Sequence, residues 1–312
     1  MEIAAIEEAR KRIEPYIKRT RLERSQTLSD HLGTNVYVKL EMFQKTGSFK
    51  VRGAFNKLLS HSAEQLSNGV VAVSGGNHAQ AVAHASTVLK LDAVVLMPES
   101  TPKNYVDATR GYGAKVVLTP TIADAFVEID RYRSEGRVFV HPFDDELVRA
   151  GQGTLGLEIV EDLPEVTDVV VSIGGGGLMS GVAGAIKGRN PAVKIWGVET
   201  VGADAMSQAI AAGHPVTLPA ITSIAKTLGA PAVSDATLAA AQRLLESVTV
   251  VTDEEAVAAL SFIVERLKVL TEPAASCTLA AAEKLKAKFG SDVVLILCGG
   301  NLALNDLCSY PR

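Results

Sequence analysis

The 312-residue sequence predicts an α/β protein of about two domains, built on open, largely parallel twisted sheets flanked by helices. Three observations carry that expectation. Short, nearly continuous apolar runs rich in Val and Ile recur along the chain, as suits strands buried on both faces. Helical patterns lie between most of them. Several strand ends run into glycine-rich or polar junctions, and such folds carry their ligands outside the carboxyl ends of strands.

The opening "MEIAAIEEARKRIEPYIKR" alternates charge with apolar residues at helical spacing and has no uninterrupted apolar core, so it reads as an amphipathic helix and not a signal peptide. The runs "VYVKLE", "GVVAVSG", "AVVLMP", "KVVLTP", "RVFVHPF", "DVVVSIG", "KIWGVET", "VTVVTD" and "VVLILCGG" predict strands. Helices are predicted from Lys50 through Val51, Ala54, Phe55 and Leu58, and over 79–89, 122–133, 145–160, 178–186, 253–268 and 274–289. No repeat, low-complexity tract or Pro/Ser linker marks a boundary.

Composition narrows the function. With 31 Lys+Arg against 35 Asp+Glu, the net charge of −4 leaves no basic excess to neutralise a phosphate backbone, which argues against nucleic acid as a partner. Cys277, Cys298 and Cys308 cannot all pair within the chain and lack metal-ligand spacing; a reducing cytoplasm suits them. The longest weakly polar run, 169–186, holds six glycines and two serines, which fits strand, loop and helix better than a membrane span.

Four junctions are candidate sites. "SIGGGGLMSG", Ser172 to Gly181, follows a buried strand and opens a helix. Consecutive glycines let backbone N–H groups converge on one point and the helix dipole adds to them, so Gly174, Gly175, Gly176 and Gly177 suit an anion such as phosphate; the alternative is a tight turn needing glycine for sterics. The GxGxxG fingerprint fails here, since the pattern from Gly174 ends on Met179 and that from Gly176 puts Leu178 at the middle glycine. Glu199 nonetheless imitates a ribose-binding carboxylate about 20 residues on, which keeps a nicotinamide-dependent oxidoreductase as a rival. "SGGNHAQ" places Ser74, Gly75, Gly76, Asn77 and His78 between a strand and a helix, where free N–H groups suit a carboxylate and Ser74 or Asn77 suits an ordinary N-cap. "QKTGSFK" sets Lys50 at the mouth of a helix, where the macrodipole disfavours a cation. "CGGN" puts Cys298 at the end of the last strong strand, by itself compatible with a buried small hydrophobe.

Taken together, "KTGSFKVRGA", "SGGNHAQAVA", "HPFDD", "AGQGTLGLEI", "GGGGLMSG", "EPAAS" and "CGGN" resemble, in order and rough spacing, the fold-type II pyridoxal-phosphate enzymes of the serine/threonine dehydratase and serine racemase family. The resemblance implies the tryptophan synthase β-subunit-like fold, with a large domain over 1–51 and 145–312 and a small domain over 52–144. It implies pyridoxal 5'-phosphate as cofactor and a homodimer acting on a small amino-acid substrate. Lys50 matches the lysine that holds the cofactor aldehyde as an imine, with Ser48 and Phe49 shaping the pocket. Gly174 to Gly177 would hold the cofactor phosphate, Asn77 its phenolic oxygen, and Cys298 would face the pyridine nitrogen. Ser74, Gly75, Gly76, Asn77 and His78 would receive the substrate carboxylate, and His141 and Phe143 would line the mouth between the domains. The implied reaction is β-elimination of water from a β-hydroxy amino acid such as L-threonine or L-serine, with Lys50 as general base and the cofactor phosphate as proton donor, giving a 2-oxo acid and ammonia. Bulkier or acidic substrates such as phenylserine or hydroxyaspartate, and a non-catalytic metabolite sensor, are alternatives.

Three departures from the family pattern stand out. Gly75 takes the place of the racemases' serine and the biosynthetic dehydratases' alanine, which predicts elimination without racemisation. At the family's cation site Glu199 and Ala203 match but Ala205 replaces an aspartate, so no metal ligand set is assigned. "SIAKTLGAP", Ser223 to Pro231, replaces the family's "ADG".

Overall fold

The computed structural model describes residues 2–310 of the chain. Its strands are β1 (Leu22–Arg24), β2 (Asn35–Leu40), β3 (Val70–Val73), β4 (Ala93–Pro98), β5 (Lys115–Thr119), β6 (Val138–Phe139), β7 (Asp168–Ser172), β8 (Lys194–Thr200), β9 (Ser247–Val251) and β10 (Asp292–Leu297). The helices are α1 (Ile3–Ile13), α2 (Gln26–Leu32), α3 (Lys50–Leu59), α4 (Asn77–Val88), α5 (Lys103–Gly111), α6 (Ile122–Ser134), α7 (Glu146–Asp162), α8 (Gly177–Arg189), α9 (Ala205–Ala212), α10 (Asp235–Leu244), α11 (Asp253–Phe262), α12 (Pro273–Leu285) and α13 (Leu304–Ser309).

Two sheets form. One has six strands in the order β1-β2-β10-β7-β8-β9, and the other has four in the order β5-β4-β3-β6. Every pairing is parallel except β1 with β2. The continuous apolar runs follow from this. In β10, Val293, Leu295 and Leu297 face one core while Val294 and Ile296 face the other, and Cys298 continues the second row. In β3, Val70 and Ala72 face one cluster and Val71 and Val73 the opposite one.

Helices α2, α5, α9, α10 and α13 lie outside the stretches picked out in the sequence, and two further elements differ from it. β1 is only three residues long and half exposed, too short for a periodic signal. The helix expected over 253–268 leaves α geometry after Phe262, where 263–267 takes a π turn that ends on Lys268 at φ +61°.

A buried ion network anchors the start of α3. Arg52 donates to both oxygens of Glu41 at 2.8 and 2.9 Å and both of Glu158 at 2.7 and 2.9 Å. Lys39 adds a contact to Glu158 at 2.6 Å. Such a network is destabilising to interrupt because each removed partner leaves a buried charge unpaired. It ties β2, α3 and α7 together two residues past Lys50.

Candidate active site

The segment before α3 is pinned by main-chain bonds to the end of β10. Phe49 N–H donates to Cys298 O at 3.0 Å, Gly300 N–H to Gly47 O at 2.9 Å, and Ser48 bridges Gly299. This pairing brings Lys50 beside Cys298. The Lys50 amine donates to Pro142 O at 2.7 Å and lies 5.3 Å from the Phe49 ring centroid. Burial holds its pKa down to about 8, offset in part by Cys298, so a neutral, nucleophilic amine is accessible near physiological pH. Lys57 pairs with Asp145 at 2.6 Å instead. Burial pushes the Cys298 thiol well up, so the group is neutral.

The β7–α8 loop curls around a recess that Lys50, Phe49, Asn77 and Cys298 also line. Each glycine has its own steric reason. A Cβ on Gly174 would lie 3.0 Å from Leu228 O, one on Gly175 would lie 2.2 Å from the Phe143 ring, and one on Gly177 2.9 Å from Phe143 Cβ. Gly176 sits at φ +88° in the left-handed region. Sterics and anion binding are therefore not alternatives: close packing from behind is what holds the amides at the mouth of α8.

The β3–α4 loop is organised differently. Ser74 does not cap the helix; its hydroxyl accepts from Gly76 N–H at 3.1 Å, and the N-cap position falls on Gly76 with no side-chain cap. Nor is Asn77 a cap. Its Nδ2 donates to Glu272 Oε1 at 2.8 Å while its Oδ1 accepts from Asn301 Nδ2 at 2.8 Å, and Asn301 also donates to Thr46 O at 2.7 Å. Thr227 donates to the same Glu272 oxygen at 2.9 Å. His78 donates through Nε2 to Val140 O at 2.8 Å; burial, then Lys50, lowers its pKa to about 3, so it is neutral.

Both loops open on a cavity of about 490 Å³ between the sheets. His141 does not face a substrate through its Nδ1, which accepts from the N–H groups of Phe143 at 3.3 Å and Asp144 at 2.7 Å; the turn so formed lays Phe143 over the glycine loop and Pro142 O on Lys50.

Sequence reasoning missed Glu272 as a site residue. It is buried, its Oε2 has no partner among the described residues, and burial raises its pKa to about 7, against which the Thr227 and Asn77 bonds act. Its sequence signals are a single carboxylate in the apolar stretch "VLTEPAAS" and its place at the head of the "EPAAS" motif, otherwise without an assigned role. Glu199 also departs from its rival role: both its oxygens accept from amides of α9, Met206 and Ser207, at 2.8 Å each. The ribose-binding reading is set aside.

A parallel two-sheet α/β scaffold with a desolvated lysine between two glycine-rich strand–helix loops is the architecture of an enzyme that holds its cofactor through an amine and an anion cradle. Residues 13–299 match the family described as pyridoxal-phosphate dependent enzyme. The chain is 41% identical over 303 residues to the L-threonine ammonia-lyase of Thermotoga maritima, covering 96% of this chain and 75% of that one. It superposes on maize serine racemase with a TM-score of 0.94 at 36% identity, covering 99% and 96% of the two chains. On the processed form of threonine deaminase isoform 2 from Solanum lycopersicum the TM-score is 0.93 at 34% identity, covering 98% and 90%. The chain belongs to the pyridoxal-phosphate-dependent enzymes of fold type II, in the serine/threonine dehydratase family. Among the described residues no helix is long and apolar enough to cross a membrane.

Proposed function

We propose that the chain is an ammonia-lyase that removes water from a β-hydroxy amino acid such as L-threonine or L-serine, giving a 2-oxo acid and ammonia. The observation that carries the reading is the Lys50 amine, desolvated to a pKa of about 8 and set between the two loops. The residues present fit pyridoxal 5'-phosphate: a reactive amine, a glycine cradle that any Cβ would fill, and a neutral thiol beside the recess. When bound, the cofactor supplies an electron sink for the substrate's α-carbon.

The protein's own groups divide the remaining work. Lys50 would hold the cofactor, and as a free amine it would accept the substrate's α-proton. The amides of Gly174, Gly175, Gly176 and Gly177 receive the cofactor phosphate, reinforced by the positive end of α8. Asn77, its amide orientation fixed by Glu272 and Asn301, presents its remaining Nδ2 hydrogen to the phenolic oxygen. Cys298, a neutral thiol, would face the cofactor's pyridine nitrogen, and such a partner would not favour ring protonation, so loss of the β-group would stay competitive. Ser74, Gly75, Gly76, Asn77 and His78 receive the substrate carboxylate at the uncapped start of α4. The β-hydroxyl would leave as water with one proton, balanced by the α-proton that Lys50 takes up and gives back, and the released enamine would take up one water to give the 2-oxo acid and ammonia. Gly75, at the position of the racemases' serine, has no proton to give, so turnover is expected to yield no D-isomer. The two sheets correspond in this reading to a large domain over 1–51 and 145–312 and a small one over 52–144, in a cytoplasmic homodimer.

The test is the cofactor band near the violet edge of the visible, together with 2-oxo acid formation from a panel of β-hydroxy amino acids. Lys50→Ala is expected to lose both while keeping its fold by circular dichroism. Borohydride trapping of the cofactor on any other lysine would sink the assignment.

A further inference from the structure

Residue 75 has no side chain, yet its side-chain place is not empty. An ideal Cβ on Gly75 would lie 2.7 Å from Thr101 Oγ1 and 3.6 Å from both Thr101 Cγ2 and Pro98 Cδ. Thr101 comes from a different loop, the one between β4 and α5, and both residues line the cavity that Lys50 and Asn77 share. Its hydroxyl is covered and has no hydrogen-bond partner among the described residues. A buried hydroxyl without a partner carries a desolvation cost that a bound ligand can relieve.

The surrounding donors say which ligand. α4 starts without a side-chain cap, so its leading N–H groups favour an anion, but the Gly76 N–H is already taken by Ser74 Oγ at 3.1 Å. Ser74 Oγ only accepts there and keeps its own O–H, and the unpartnered Thr101 O–H stands beside it as a further hydroxyl donor. We propose that Thr101 is a substrate-binding residue: it fills the side-chain volume of residue 75 and donates its hydroxyl to the substrate carboxylate. The proposal rests on the assignment of 74–78 to that carboxylate. It makes Gly75 and Thr101 a compensating pair, in which residue 75 cannot gain a side chain unless Thr101 moves.

The experiment titrates the holoenzyme with L-alanine, which carries the carboxylate but no leaving group, and with ethylamine, which lacks the carboxylate, following the cofactor absorbance. Thr101→Val keeps the volume and removes the hydroxyl; it is expected to weaken L-alanine about tenfold, the scale of one lost hydrogen bond, and to leave ethylamine unchanged. Thr101→Ser should bind L-alanine as the parent does, which separates a lost donor from a damaged fold. Gly75→Ala should reproduce the Val phenotype by displacing the hydroxyl. Equal L-alanine affinity in Thr101→Val and the parent, or an equal loss for ethylamine, overturns the proposal. A parent holoenzyme that responds to ethylamine but gains nothing from the carboxylate overturns the loop assignment beneath it, and one with no cofactor band overturns the proposed function itself.

Discussion

The two glycine-rich junctions look alike in sequence and are built on opposite principles. In the β7–α8 loop every glycine is hemmed in, by Leu228 O, by the Phe143 ring or by Thr237 Cβ, and Gly176 is held in the left-handed region as well. That loop is shaped before any ligand arrives. In the β3–α4 loop a Cβ on Gly76 would meet only Thr227 Cγ2, at 3.4 Å, and on Gly75 chiefly the Thr101 hydroxyl. Its form comes from side-chain hydrogen bonds through Ser74, Asn77 and Glu272. In the proposed reading the close-packed loop is the one that would hold the cofactor phosphate, and the loop with more open glycines is the one that would receive the substrate.

Substitutions break or sharpen this contrast. The largest effect is expected from Gly175→Ala and Gly176→Ala. One drives a methyl into the Phe143 ring and the other adds left-handed strain to a Cβ 2.7 Å from Thr237 Cβ, a cost of about 2 kcal/mol or more. Cofactor affinity, read by fluorescence titration, should fall by at least about tenfold. Retained affinity in both variants would show that the β7–α8 loop is as yielding as the other.

Cys298→Asp comes next, because it places a carboxylate at the face where the strand alternation puts a neutral thiol. Unfolding of the cofactor-free protein should show a loss of about 1–3 kcal/mol for the unpaired polar burial. In the holoenzyme elimination should slow relative to side reactions, and an unchanged product partition and spectrum would mark the thiol as core packing only.

Glu272→Gln is subtler, since glutamine still accepts from Asn77 and Thr227. The Glu272 pKa is raised from 4.5 to about 7. Between those values the folded chain holds a proton that the unfolded chain has released, so stability falls as pH rises through that window. Glu199 is raised to about 7 as well. Denaturant unfolding of the cofactor-free protein from pH 5 to 7 should therefore show the parent losing stability relative to the variant as pH rises, since Glu199 and the buried His78 and His141, whose lowered pKa values of about 3 and about 4 act in the opposite sense, contribute alike to both proteins. An unaltered slope would mean that Glu272 is ionised in the fold. Least of all is expected from Gly76→Ala: at φ −146° and with Thr227 Cγ2 at ordinary contact distance, cofactor affinity should stay within about twofold.

The sequence by itself determined the parallel α/β class, because strands buried on both faces must be largely apolar: β3 is apolar throughout, and β7 and β10 are so apart from Asp168, Ser172 and Asp292 at their ends. It also located Lys50 and the glycine loop, since positive φ and close approach leave a compositional trace in glycine. Hydrogen-bond partners leave none. That Asn77 is turned by Glu272 and Asn301, that Phe143 leans on Gly175, and that Thr101 stands in for a side chain at 75 depended on residues 26 to 224 positions apart in the chain being brought into contact. Such pairings are set by how the two sheets face each other, and only the tertiary structure decided them. The raised pKa of Glu272 is the same kind of fact, because burial, its main cause, is a property of everything packed around a residue and not of the residue.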